Sequence, residues 1–146
     1  MHQRTVTVAE NGLGPFGQDV RARHLHIRAD EPEDVGGLGE GFDPYELLLA
    51  GLAACTSMTI RLYARHKGWP LEHVEVVAHH AERLAEGAAQ DVFTREIRLD
   101  GDLSEEERQR LFAIAEKCPV SRTLAKGVEI RSTLSEAGEG VGEGTS

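Results

Sequence analysis

The sequence predicts an α+β fold with antiparallel sheet, on three observations. Residues near the N terminus alternate between polar and β-branched types, which is typical of strands. The segment 44–67 carries helix start and stop signals. The segments 71–84 and 92–100 are predicted to be two strands joined by a hairpin connection. Hairpin strands grouped apart from helices favour α+β over a doubly wound sheet. The length suits one domain, predicted for 1–135, with a disordered tail over 136–146.

The N-terminal region is expected to supply two strands. Residues 3–9 and 20–29 each alternate, and the second segment would place His24 and His26 on one face. The glycine-rich, acidic stretch over 30–42 predicts a flexible loop before the first helix.

The first helix is predicted over 44–67. Asp43 suits its N-cap, Glu46 stands at capping-box spacing, and Gly68 is a plausible stop. The run 47–55 is apolar on every side of the helix, so it is expected to be buried all round. One small sheet cannot provide that cover, and an intertwined homodimer is therefore predicted.

A second helix is expected to begin after Ser104, with Glu107 at capping-box spacing, and to end at Pro119. Its apolar stripe at helical spacing comprises Leu111, Phe112, Ile114, Ala115 and Cys118. Residues 127–134 alternate again and predict a last strand.

Composition excludes several classes of function. A net charge of −9 and a pI near 5.2 argue against a nucleic-acid binder and disfavour an anionic membrane surface as partner. The longest apolar run is far shorter than the roughly 20 residues of a membrane span. The polar, alternating N terminus does not resemble a signal peptide. We therefore expect a cytoplasmic protein that binds neither nucleic acid nor membrane.

The chain contains only two cysteines, Cys55 and Cys118, both on apolar helical surface. Free cysteine is often buried and packs like a small hydrophobic residue, so a structural role is the ordinary interpretation of either one. A thiol pair in a cytosolic protein nevertheless more often indicates redox chemistry than a permanent crosslink. In that chemistry a thiolate attacks a peroxide oxygen, and the second cysteine condenses with the resulting sulfenic acid.

Burial alone raises the pKa of a thiol, so an active Cys55 needs a cation or a strong donor beside it. Arginine is suited to this role because it stays charged and donates in a fork. The sequence offers Arg21, Arg23 and Arg28 on the second predicted strand and Arg122 after the second cysteine, and leaves the choice open.

Glu46 precedes Cys55 by nine residues on the predicted helix. At this separation the two side chains lie on opposite faces, about 13 Å apart along the axis. Glu46 could therefore serve the thiol only through a kink or from another subunit, and its capping role is sufficient by itself.

Histidines give no strong metal signal. His79 and His80 are adjacent, but no acid or cysteine stands beside them at a ligand spacing. Neither a metal nor another cofactor is expected.

Several motifs resemble a known family. PYELLLA, ACTSMT, KGWPL and CPV occur in order, and over 20–134 the chain resembles the OsmC/Ohr superfamily, most closely its hypothetical-protein branch. The resemblance implies an α+β intertwined homodimer with two sites at the subunit interface. It also implies a thiol-dependent peroxidase for organic hydroperoxides, with Cys55 peroxidatic, Cys118 resolving and an external dithiol as reductant.

The chain departs from the peroxidase pattern at two points. Members with that activity carry an acid directly after the proline of the first motif, whereas here Tyr45 follows the proline and Glu46 comes one residue later. A shift of one residue turns a helical side chain by about 100°, so the two acids are not equivalent. The family's activating arginine comes from the segment before the helix, where Arg23 and Arg28 are candidates by region.

Two functions follow as hypotheses. The first is an organic hydroperoxide peroxidase in oxidative stress defence, with catalytic residues Cys55 and Cys118 and with Glu46, Arg23 and Arg28 as further site candidates. The second, motivated by the two departures, is a non-enzymatic dimer that binds a small apolar ligand at the subunit interface.

Overall fold

A computed structural model describes residues 3–136. The regular elements in chain order are β1 Thr7–Glu10, β2 Gln18–Ala22, β3 Leu25–Ala29, α1 Pro44–Lys67, β4 Leu71–Ala85, β5 Ala88–Gly101, α2 Glu105–Ile114 and α3 Pro119–Lys126, with 3₁₀ turns at Glu33–Val35 and Ala115–Lys117. The chain divides into two compact units, one formed up to Glu46 and from Ile130 onwards, the other by Leu47–Glu129. The antiparallel strands and separate helices confirm the predicted α+β class.

The first unit contains a three-stranded antiparallel sheet in the order β1-β2-β3. The single strand predicted over 20–29 is wrong: Ala22 pairs with Leu25, and a two-residue turn separates β2 from β3. Arg23 adopts a φ of 57° in this turn, a left-handed conformation that ends the extended chain. His24 therefore lies in the turn and does not share a strand face with His26.

A buried carboxylate organises the loop after β3. Asp30 is 5% exposed, and its side chain accepts backbone N–H groups of Glu31 at 2.8 Å, Leu38 at 3.3 Å and Glu40 at 3.2 Å. Burial raises the pKa of Asp30, but the three N–H groups outweigh it, and the pKa lies below its ordinary value of 3.8. Three hydrogen bonds to one carboxylate thus link the backbone of the loop for which the sequence predicts flexibility.

Helix α1 begins and ends at the predicted residues. The Glu46 carboxylate accepts the Asp43 N–H at 2.9 Å, and the Asp43 carboxylate accepts the Glu46 N–H at 2.7 Å, which is the expected capping box. At the other end Gly68 has a φ of 71° and donates to the carbonyl of Arg65. A left-handed glycine after the last turn is a common helix stop.

Within the single chain, α1 is buried on one face only. Its buried residues are Leu52, Thr56, Ile60 and Ala64, which recur every fourth position. Burial on all sides is thus not found within one chain, where Met58 is 70% and Leu62 55% exposed. In the described part of the chain, α1 alone is long and apolar enough to cross a membrane, but the core helix of a soluble protein meets the same criterion.

Strands β4 and β5 form a hairpin that is longer than predicted. Ala85 pairs with Ala88, so the connection is the two residues Glu86 and Gly87 rather than 86–91. Both turn residues have positive φ, 53° and 83°, the backbone that suits a two-residue hairpin turn. The hairpin packs against a core formed by Ile60, Ala64, Leu71, Leu103, Leu111 and Ala115, with Ile97 and Leu99 partly buried against it.

The predicted second helix is two helices. Ser104 and Glu107 form the expected capping box, but α2 ends at Ile114, and a 3₁₀ turn follows. Pro119 does not end a helix; it starts α3 at the first helical position, where its missing N–H costs nothing. Phe112, expected in the apolar stripe, is 53% exposed.

The strand predicted over 127–134 is not formed in the described residues. Leu134 is 99% exposed there, and no neighbouring strand pairs with this segment. A strand needs such a partner for its backbone groups. The predicted tail lies outside the described residues, apart from its first residue.

Candidate thiol site

The structure brings the two cysteines together between α1 and the start of α3. Cys55 and Cys118 are both free thiols, and they lie near enough for each to influence the pKa of the other. Cys118 is completely buried, whereas Cys55 is half-buried. The thiol that small solutes can reach from this chain's surface is therefore Cys55.

The backbone around Cys118 explains the position of its sulfur. Cys118 is the N-cap of α3, with φ −59° and ψ 128°, the extended conformation favoured before a proline. Its N–H donates to the Ala115 carbonyl at 3.3 Å, and its carbonyl accepts the Arg122 N–H at 3.1 Å. The residue is thus tied to the 3₁₀ turn on one side and to α3 on the other.

A guanidinium that sequence reasoning did not identify lies beside the thiol pair. Arg95 Nη1 donates to Thr56 Oγ1 at 2.9 Å and to the Ala115 carbonyl at 3.2 Å. Its Nη2 donates to Glu116 at 3.3 Å and to Ser121 Oγ at 3.5 Å. Only 13% of the Arg95 side chain is exposed, so the charge is largely removed from water.

Arg95 reaches this position because of its place in β5. Every second residue of β5 from Phe93 to Leu99 is partly buried, and Arg95 belongs to this inward-facing row. An arginine in an otherwise apolar row was the signal available in the sequence. The predicted candidates came instead from the segment before α1 and from the residues after Cys118.

Thr56 connects the guanidinium to the thiols. It is completely buried, and its hydroxyl lies 2.7 Å from the Leu52 carbonyl and 3.9 Å from Cys118 Sγ. Because Oγ1 accepts from Arg95, the single hydroxyl hydrogen must point to one of these two acceptors. A hydroxyl that accepts from a cation is also a stronger donor.

The two thiols differ in acidity. Burial raises the pKa of Cys55, and the hydrogen bond and charge of Cys118 raise it further. Burial also raises the pKa of Cys118, but the Cys55 thiol, the N–H of Ser121, the Thr56 hydroxyl and the N–H of Val120 outweigh it, and the pKa of Cys118 is lowered. The Cys118 side chain makes no N-cap hydrogen bond, so the first-turn N–H groups act on its charge at longer range. Cys118 is therefore the more acidic thiol of the two.

The other predicted site residues are engaged elsewhere. The Glu46 carboxylate is used in the capping box of α1. Arg23 lies in the β2–β3 turn, and Arg28 is ion-paired with Glu40 at 3.9 Å. Both arginines belong to the first unit, whereas both thiols belong to the second. Their catalytic assignment stays a prediction.

A cavity of about 330 Å³ adjoins Arg95 within the second unit. Its apolar wall is formed by Leu52, Phe93 and Leu124. Polar atoms in the lining come from Arg95 and Ser121. Mostly apolar walls with a few polar groups are typical of small-molecule sites. The cavity volume would admit a small organic molecule.

Two histidines of β4, His79 and His80, each lie beside an acidic residue of β5. His79 lies 3.3 Å from Glu96, and His80 lies 2.8 Å from Asp91. Among residues 3–136, no group of three or more His, Cys, Asp or Glu side chains is placed to hold a metal ion.

Comparison with known proteins identifies the family. The model of the OsmC-like protein family matches residues 37–133, and the chain belongs to this family. No protein of curated function matches the chain.

Solved structures share the fold. An OsmC-like protein from Mycoplasma pneumoniae has a TM-score of 0.70 and 21% identity, over 85% of this chain and 88% of that one. An organic hydroperoxide resistance protein OsmC from Legionella pneumophila has a TM-score of 0.63 and 25% identity, over 84% and 88%. The organic hydroperoxide resistance protein OhrB of Bacillus subtilis has a TM-score of 0.58 and 21% identity, over 83% and 89%.

Proposed function

We propose that this chain is a thiol-dependent peroxidase for organic hydroperoxides, acting in the cytoplasm in oxidative stress defence. The observation that carries the proposal is the proximity of the only two cysteines in the sequence, with the more exposed thiol at Cys55. Similarity to proteins named for organic hydroperoxide resistance supports the substrate class. An external dithiol is proposed as reductant, with no metal or other cofactor.

The proposed cycle begins with a proton transfer within the pair. Cys55 passes its proton to the Cys118 thiolate, and the new Cys55 thiolate attacks the hydroperoxide oxygen. The O–O bond breaks, Cys55 becomes a sulfenic acid, and the alkoxide takes the proton from Cys118 to leave as an alcohol. The Cys118 thiolate then attacks the Cys55 sulfur, which forms the disulfide and releases hydroxide. The external dithiol returns the disulfide to two thiols.

Treatment with an organic hydroperoxide tests this cycle. Cumene hydroperoxide is expected to produce a Cys55–Cys118 disulfide in the folded protein, detected by mass spectrometric mapping of the thiols. In Cys118→Ala the sulfenic acid should persist on Cys55 and be trapped by dimedone, whereas the matched Cys55→Ala variant should trap none. A free Cys55 thiol in folded, peroxide-treated protein would contradict the proposal.

A homodimer is part of the proposal. Leu48, Met58 and Leu62 of α1 are each at least 46% exposed in the single chain, and apolar residues on a long helix favour cover by a partner. Sedimentation equilibrium should give twice the chain mass, and a monomer at micromolar concentration would contradict this part. Glu46, Arg23 and Arg28 remain candidates for roles at the dimer's sites.

A second candidate is a non-enzymatic dimer that binds a small apolar ligand. The raised pKa of Cys55 and the largely apolar cavity beside Arg95 favour it. Two measurements distinguish the two functions: the alkylation rate of Cys55 against pH, which gives its pKa, and the consumption of hydroperoxide by the protein. A Cys55 pKa at or above about 8.5, with no consumption of hydroperoxide, would favour the binding protein.

A further inference from the structure

We propose that Arg95 is a positioning residue for the resolving thiol: it fixes Cys118 for closure of the disulfide with Cys55. This role rests on the proposed function of Cys118 as the resolving cysteine. It differs from the arginine role considered from the sequence, which was to activate Cys55 from the segment before α1.

Two of the four Arg95 partners, Thr56 and Ala115, contact Cys118 themselves, and a third, Ser121, favours its thiolate. The Thr56 hydroxyl lies 3.9 Å from Cys118 Sγ, and the Ala115 carbonyl also accepts the Cys118 N–H at 3.3 Å. The Ser121 N–H favours the Cys118 thiolate, and the Ser121 hydroxyl accepts from Arg95. One guanidinium therefore connects α1, the 3₁₀ turn and α3 around a single sulfur.

The charge of Arg95 is only partly compensated by a carboxylate. Glu116 is its one ion-pair partner among the described residues, and the Glu116 side chain is 72% exposed, so solvent weakens this attraction. A largely buried guanidinium favours negative charge nearby. Charged or titratable groups near Cys118 include Cys55 from α1, Arg95 from β5, Glu116 and Lys117 from the 3₁₀ turn and Arg122 from α3.

The mechanism of action is geometric and electrostatic. Arg95 holds the Thr56 oxygen as an acceptor, so the hydroxyl hydrogen is available to the Leu52 carbonyl or the Cys118 sulfur. The Ala115 carbonyl also accepts from Arg95, so hydrogen bonds link the backbone of Cys118 to β5 through this carbonyl. Closure of a disulfide requires a specific separation and direction of the two sulfur-bearing carbons, so this restraint should accelerate it.

Oxidation by diamide tests the role without any hydroperoxide. Diamide accepts two electrons and two protons to become a hydrazine, and the two thiols become a disulfide. In Arg95→Met the closure rate should fall on the order of tenfold, as expected for loss of about one charge-assisted hydrogen bond. Its pH profile should also move to higher pH because Cys118 loses its support as a thiolate. Arg95→Lys keeps the charge but not the fork, so its rate should be intermediate.

Two matched variants control for general effects of charge removal. Arg98 stands on the opposite, exposed face of β5, ion-paired with Glu75 and Asp100, so Arg98→Met should close at the rate of the unmodified protein. Glu116→Gln removes the exposed ion pair but leaves the other Arg95 contacts, and should change the rate less than twofold, as expected for an exposed pair.

Specific outcomes would overturn the role. The role is refuted if Arg95→Met forms the disulfide at the rate of the unmodified protein and with the same pH profile. It is also refuted if Arg95→Met and Arg98→Met lose the same fraction of the rate. If Arg95→Met does not fold, Arg95→Lys decides, because a rate equal to that of the unmodified protein would show that the forked contacts are not needed. Because diamide replaces the peroxide, the two proposals fail separately: an unmodified protein that does not react with hydroperoxides refutes the proposed function, whereas the diamide rates alone decide whether Arg95 positions Cys118 for disulfide closure.

Discussion

Replacement of Thr56 by valine separates the electrostatics of the thiol pair from its packing. Valine has nearly the same shape as threonine, and Thr56 is completely buried, so the apolar contacts of α1 are retained. The change removes the acceptor of Arg95 Nη1 at 2.9 Å and the donor 3.9 Å from Cys118 Sγ. Arg95 Nη1 keeps the Ala115 carbonyl at 3.2 Å, so the guanidinium is not left entirely unpaired.

The expected magnitude follows from these contacts. Loss of a hydrogen bond to a charged group costs about 1.5–3 kcal/mol, and the remaining Ala115 contact should place Thr56→Val at the lower end, at about 1.5 kcal/mol of unfolding free energy. Thr56→Ser is the matched variant: it keeps the hydroxyl and loses one buried methyl, at a cost of about 1 kcal/mol. The two variants should thus be destabilised to a similar degree.

The thiols should nevertheless distinguish these variants. In Thr56→Val the pKa of Cys118 should rise because its hydroxyl donor is gone, whereas in Thr56→Ser it should stay near that of the unmodified protein. Urea unfolding measures the stabilities, and ultraviolet thiolate absorbance against pH measures the titration. An unchanged thiolate titration in Thr56→Val, or an equal shift in Thr56→Ser, would refute the argument that the Thr56 hydroxyl supports the Cys118 charge.

Three further predictions concern the thiols, the core and the loop after β3. Cys118→Ala should lower the pKa of Cys55, because it removes the partner that raises this pKa. Cys55→Ala should raise the pKa of Cys118. Opposite shifts in the absorbance titration would contradict the conclusion that Cys118 is the more acidic thiol. Leu111 is completely buried, so Leu111→Ala should cost about 2–5 kcal/mol in urea unfolding, whereas Phe112→Ala, at a residue 53% exposed, should cost clearly less. Because the folded pKa of Asp30 is lowered, its carboxylate should stabilise the fold above its ordinary pKa of 3.8, and this contribution should disappear as the pH falls through the folded pKa. A stability difference between the unmodified protein and Asp30→Asn that grows on acidification would show that the sign is wrong.

Local sequence signals predicted the elements whose ends they mark. The capping residues of α1 and α2 and the stop at Gly68 were identified correctly because each satisfies backbone groups within a few residues. The alternation of β4 and β5 likewise predicted the hairpin, although its turn proved shorter. The hairpin at Arg23 was missed because arginine has no preference for a left-handed turn, so nothing in its side chain marked the break.

Pro119 shows why a local signal can be interpreted in the wrong direction. Proline both ends a preceding helix and begins a following one, and only the residues after it decide between these roles. The apolar stripe before Pro119 favours the first role, whereas in the structure α3 begins at Pro119. The contact of Arg95 with Thr56 is a different kind of omission, since it joins residues 39 positions apart and depends on tertiary packing.

The opposite acidities of the two thiols follow from where each sits in its helix. Cys55 is in the middle of α1, where the backbone N–H groups are already used within the helix, and the Val120 N–H and the Thr59 side chain do not offset the effects of burial and of Cys118 on its pKa. Cys118 is the N-cap of α3, and the N–H groups of Val120 and Ser121 in the first turn have no helical acceptor, so they favour charge on the nearby sulfur. The less acidic thiol is the more exposed one, because Cys118 is completely buried and Cys55 is not. The more acidic thiol is thus the inaccessible one. In the proposed peroxidase cycle, Cys55 therefore loses its proton before attack, and a protonated Cys118 is the group that can protonate the departing alkoxide.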